Sequence, residues 1–118
     1  FAWIAFNPSQ TDPPIDVDEP AYEGQKMAAC IQYQDFNDDK WLISPELSFH
    51  NTSMLSFMAR SITDLYGLER IRVLVSTSGT EPNDFTQISP GDFMEVPVDW
   101  TEFSFELGIY AGETGYIA

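Results

Sequence analysis

Basic residues are scarce in this chain: five lysines and arginines stand against nineteen aspartates and glutamates, a formal net charge of −14 over 118 residues. A field of that sign repels the phosphates of nucleic acids and disfavours the anionic face of a membrane. Nucleic acid is excluded as a partner class. Histidine and cysteine are scarcer still, one of each, His50 and Cys30. A single cysteine forms no intrachain disulfide, and one histidine with one distant thiol does not complete a nitrogen-and-sulfur zinc site. A serine or cysteine triad would need His50 as its base, yet no serine sits in a Gly-x-Ser-x-Gly elbow and no glycine-rich phosphate loop exists. Paired carboxylates of the glycosidase kind can be drawn anywhere among nineteen acids, so they specify nothing. No apolar run approaches the ~20 residues of a membrane-spanning helix. These absences describe a protein that is not an enzyme, with His50 on the surface of a connector.

What is present is core material. The chain is 43% hydrophobic and 14% aromatic, enough for one ordered domain over residues 1–118. It opens at Phe1 without an initiator methionine or a basic leader. At the other end, residues 115–118 read as the start of a strand that stops where its partner would pair. Both features suggest one module of a larger protein.

The hydrophobic pattern has period two. Residues 1–6 fit a first strand, and residues 7–20, with four prolines, fit a long surface loop that no helix can cross. A strand follows around residues 26–33, where small and apolar neighbours place Cys30 in the interior. After an acidic turn at 34–40, residues 41–44 read as a strand that Pro45 stops, since proline has no amide hydrogen to donate. Residues 54–60 alternate, with Leu55, Phe57 and Ala59 on one face; residues 61–68 form a loop or a short turn of helix. Residues 69–77 are the clearest strand, with Ile71, Val73 and Val75 alternating against Arg72, Leu74 and Ser76. Shorter strands fit 85–88 and 94–98. Residues 100–107 put Thr101, Phe103, Phe105 and Leu107 toward the core and Trp100, Glu102, Ser104 and Glu106 away from it. Short strands, polar turns and no helical period give an all-β chain, an antiparallel β-sandwich.

Two kinds of residue are candidates for recognition. Aromatic side chains on loops or polar faces offer a binding surface, and Trp100, Tyr66 and Tyr110 are placed there. Acidic clusters in turns offer oxygen ligands to calcium, a hard cation that takes six to eight of them. One cluster holds Asp16 and Asp18, the other Asp38 and Asp39. Trp41 is read as a core anchor.

Several words in this sequence resemble a family. They are Trp3-Ile4-Ala5-Phe6; Asp39-Lys40-Trp41-Leu42-Ile43-Ser44-Pro45-Glu46-Leu47; Arg72-Val73-Leu74-Val75-Ser76-Thr77-Ser78-Gly79; and Trp100-Thr101-Glu102-Phe103. In this order they are similar to the cleaved adhesin or choice-of-anchor J domains of bacterial surface and secreted proteins, such as the adhesin modules of the gingipains. The resemblance implies a galactose-binding-like jelly roll outside the cytoplasm, beside neighbouring domains of the same polypeptide. It implies adhesion to a host or matrix protein or to a glycan, and structural calcium at Asp16, Asp18, Asp38 and Asp39. Relatives continue past Tyr116-Ile117-Ala118 into a closing strand, whose loss would expose a sheet edge. The competing expectation is a spacer domain with no ligand of its own.

Overall fold

The computed structural model describes residues 3–30 and 39–118. Every strand pairing among them is antiparallel, and the helical content is limited to three short 3-10 turns. The all-β reading holds. Contacts divide the chain into two compact units, Phe1–Leu42 and Ile43–Ala118.

The first unit is a two-stranded ribbon and a long loop. Strand β1 (Trp3–Phe6) pairs with β2 (Met27–Cys30) in the register Trp3 with Cys30, Ile4 with Ala29, Ala5 with Ala28 and Phe6 with Met27. The proline-rich loop between them contains no α-helix and ties itself together locally. Asn7 caps the 3-10 turn Pro8–Gln10 by accepting the Ser9 amide at 3.1 Å, and the Thr11 hydroxyl donates to the carbonyls of Pro8 and Pro13. Cys30 is exposed, against expectation. The period of two was read correctly, but the face that Cys30 shares with Ala28 is open. The expected strand's continuation at 31–33, and most of the acidic turn at 34–38, lie outside the described residues.

The second unit carries the core. Strand β3 (Leu47–Ser48) lies at the edge of a four-stranded sheet ordered β3, β10 (Thr114–Ile117), β6 (Leu74–Ser76) and β7 (Thr86–Gln87). Strand β4 (Met54–Ala59) pairs with β9 (Thr101–Glu106), and β5 (Glu69–Ile71) pairs with β8 (Met94–Val96). Phe49, Val75 and Leu107 form the buried centre, with Leu47, Leu55, Ile88, Tyr110 and Ile117 packed around it. Strand β9 alternates as read: Thr101, Phe103 and Phe105 are half-buried, Leu107 is buried, and Glu102, Ser104 and Glu106 are exposed. On its inner face Phe57 stacks on Phe103, with ring centroids 5.5 Å apart. A cross-strand aromatic pair of this kind contributes about 0.5–1.5 kcal/mol beyond its buried area.

Three boundaries move. Residues 41–46 form no regular strand, and ladder pairing begins past the proline at β3. Ser44 still couples to β10, its amide donating to the Ile117 carbonyl and its hydroxyl accepting the Ile117 amide. The clear strand at 69–77 is two strands, because the backbone changes partners at Val73. There the Val73 amide donates to the Ser89 hydroxyl, and its carbonyl accepts the amides of Ile88 and Ser89. Strand β10 is paired on both flanks, with β3 through Thr114 and Gly115 and with β6 through Tyr116 and Ile117. Gly115 is required by that crowding: a Cβ there would collide with the Ser76 carbonyl and press on the Phe49 ring.

Candidate functional site

Strand β4 ends at Ala59, and two residues later Ser61 is fully buried. Its amide donates to the Pro97 carbonyl at 2.8 Å, its hydroxyl donates to the Val96 carbonyl at 2.7 Å, and the same hydroxyl accepts the Glu69 amide at 2.9 Å. One side chain thereby joins the end of β4, the start of β5 and the end of β8. A buried hydroxyl is tolerated because it is both donor and acceptor. The consequence is a loop, residues 62–68, whose two ends are held at a single neck.

Above that neck the loop is turned by its own backbone. The Leu65 amide donates to the Thr63 hydroxyl at 3.1 Å, and the Gly67 amide to the Asp64 carbonyl at 3.0 Å. Gly67 has φ +93°, a left-handed conformation that side chains with a Cβ rarely adopt. Three apolar or aromatic side chains of the loop are open to water, Ile62 at 66% exposed, Leu65 at 80% and Tyr66 at 91%, beside the exposed Thr63 and Asp64. Exposed large apolar residues are ordinary singly; here three fall within five residues of one anchored loop.

The structure separates the aromatic candidates. Tyr66 is at the tip of this loop. Trp100 belongs to the same end of the β4–β9 pair, since Ala59 pairs with Thr101 and their neighbours Arg60 and Trp100 follow in register. It is half-buried rather than fully presented, with the Arg60 guanidinium carbon 5.8 Å from its ring centroid. That cation–π geometry covers part of the indole. Tyr110 lies beyond the other end of β9, a strand about 20 Å long, and packs on Phe49 with ring centroids 5.7 Å apart. It serves the core.

The acidic candidates are not assembled by the described residues. Asp16 and Asp18 are exposed on a turn in which the amides of Asp18 and Glu19 both donate to the Ile15 carbonyl. Asp39 is exposed as well, and Asp38 lies outside the described residues. Among the described residues no three histidine, cysteine or acidic side chains converge as metal ligands would. Two carboxylates alone fall short of the six to eight oxygens calcium takes. His50 is exposed in its connector, where its backbone amide donates to the Ser53 hydroxyl at 2.8 Å.

Sequence reasoning missed Ser61, Ile62 and Leu65. The available signal was an apolar triplet without period, Ile62, Leu65 and Tyr66, inside a stretch already read as a loop. Unperiodic apolar residues in a loop have no face to bury. Trp41, read as a core anchor, is half-buried. No helix among the described residues is long and apolar enough to cross a membrane. Comparison with family models, curated proteins and solved structures finds no match to the chain.

Proposed function

We propose that this chain is a non-enzymatic adhesion module of a bacterial surface or secreted protein, built as a jelly-roll sandwich, that binds a host or matrix protein or a glycan. The observation carrying this reading is the loop clamped by Ser61, which offers Ile62, Leu65 and Tyr66 to solvent on a fixed base. Recognition residues are concentrated on loops held by a rigid scaffold, and a loop ordered before binding loses less entropy on contact. A protein partner fits this tip better than a glycan does. Ile62 and Leu65 have no groups to bond sugar hydroxyls, which leaves Thr63 and Asp64 as the loop's polar side chains, whereas a tyrosine such as Tyr66 commonly anchors protein interfaces.

The test is a panel of matrix proteins and a glycan array, each probed with the intact chain and with Tyr66→Ala and Leu65→Ser variants. Saturable binding to a panel member, lost in both variants, is the expected outcome. Binding that both variants retain would move the surface elsewhere. Silence across both panels would leave the spacer reading in its place.

Calcium belongs to the same reading through the sequence placement of Asp16, Asp18, Asp38 and Asp39. A native-state ligand raises stability by mass action. Chelation is expected to lower the melting temperature and excess calcium to restore it; an unchanged curve removes the metal.

A further inference from the structure

The β1–β2 ribbon carries a shallow, open concavity of about 370 Å³. Among the described residues its lining is mostly hydrocarbon. Ala5 and Ala28 lie opposite each other in the register, and Trp3 falls on their face of the ribbon two residues away. Leu42, 51% exposed, adds to the apolar lining, and Ile4 and Met27 border it from positions that alternate to the ribbon's other face. The indole nitrogen of Trp3 already donates to the Lys40 carbonyl at 3.3 Å, so Trp3 offers its ring rather than a hydrogen bond. Among the described residues the charged side chain lining the concavity is Lys26, which is exposed and stands immediately before β2.

An apolar surface with one ammonium group selects a particular ligand. Among the described lining residues a sugar would find no side-chain amides or carboxylates to bond its hydroxyls. A cation would meet Lys26. We propose that this concavity binds a small amphiphilic carboxylate, with a hydrocarbon or aryl body over Trp3 and the two alanines and the carboxylate at the Lys26 ammonium. The site is independent of the Ser61 loop. It also opposes the chain's overall field, since a net charge of −14 attracts cations and repels anions. At physiological ionic strength the Debye length is about 8 Å, so remote carboxylates are screened while a contact with Lys26 persists.

The opposition of local and global charge supplies the test. Octanoate, 1-octanol and octylammonium share one body and differ in the head group. Each is titrated into the intact chain at 0.15 M salt, with chemical-shift perturbation locating the site. Octanoate is expected to bind saturably at the ribbon, tighter than octanol, with octylammonium weakest. Lys26→Ala should weaken octanoate about two- to fivefold, the effect of an exposed ion pair, and leave octanol unchanged. Ala28→Leu, which fills the floor at an exposed position, should abolish binding of both. The proposal is overturned if octanoate does not saturate. It is equally overturned if octylammonium binds as tightly, if Lys26→Ala changes nothing, or if a folded Ala28→Leu variant binds as the parent does.

Discussion

Two turns at opposite ends of the β4–β9 pair hold the same ingredients and put them to opposite use. Residues 62–68 contain Ile62, Leu65 and Tyr66; residues 108–113 contain Ile109 and Tyr110. In the first, the hydrogen bonds are gathered at the neck by Ser61, and the tip is left in water. In the second, the far end of the turn is tied back onto the core residue Phe49. The Gly112 amide donates to the Phe49 carbonyl and the Phe49 amide to the Glu113 carbonyl, while local bonds from the Tyr110 amide to the Leu107 carbonyl and from the Glu113 amide to the Tyr110 carbonyl shape the turn itself. The tyrosine is therefore drawn against Phe49 while its neighbour Ile109 is left 86% exposed. Where a loop's backbone is bonded decides whether its aromatic residue packs on the core or stands in solvent.

The contrast breaks most visibly at the two tyrosines. Tyr110→Ala removes a half-buried ring from the Phe49, Val75 and Leu107 cluster and is expected to cost about 2–3 kcal/mol, below the range for a fully buried aromatic. Urea denaturation reads this directly, and a cost under about 0.5 kcal/mol would abolish the distinction between the turns. Ser61→Ala ranks next, at about 1–3 kcal/mol, because the Val96 carbonyl and the Glu69 amide both lose a buried partner. The same variant should show faster amide exchange at residues 62–69 than elsewhere; uniform exchange would deny Ser61 its role as clamp.

Smaller effects sharpen the comparison. Gly67→Ala should cost about 1 kcal/mol through its left-handed backbone alone, since nothing lies within 4 Å of the added methyl. Replacement by asparagine, which tolerates that conformation better, should recover part of the loss. Tyr66→Ala is expected to change stability by less than about 0.5 kcal/mol, as surface substitutions do. A destabilisation as large as that of Tyr110→Ala would mean that Tyr66 is a packing residue too.

The strands were legible because their signal is local. In β4 and β9 the alternation of Leu55, Phe57, Phe103 and Phe105 with Ser56, Glu102 and Ser104 follows from the pleat, whatever lies above it. The turn that follows β6 was less legible: residues 76 and 77 read as strand, whereas the Ser76 hydroxyl accepts the amides of Ser78 and Gly79 and starts the turn there. The site was legible only in part. Tyr66 could be placed in a loop, but its companions Ile62 and Leu65 look like any apolar residues until Ser61 is seen to close the neck.

Alternation along a strand thus reports which residues share a face, and this much was written in the sequence. It does not report whether that face is covered. Small and apolar neighbours predict Cys30 in the interior, yet the side it shares with Ala28 is open. Nor does it report where a strand exchanges one neighbour for another, as the chain does at Val73, or which turn is tied back and which is released. Those outcomes depend on hydrogen bonds between residues distant along the chain, such as Ser61 to Val96 and Gly112 to Phe49. Only the tertiary structure brings such groups together, because a donor and its acceptor leave no joint mark on the local pattern of either segment.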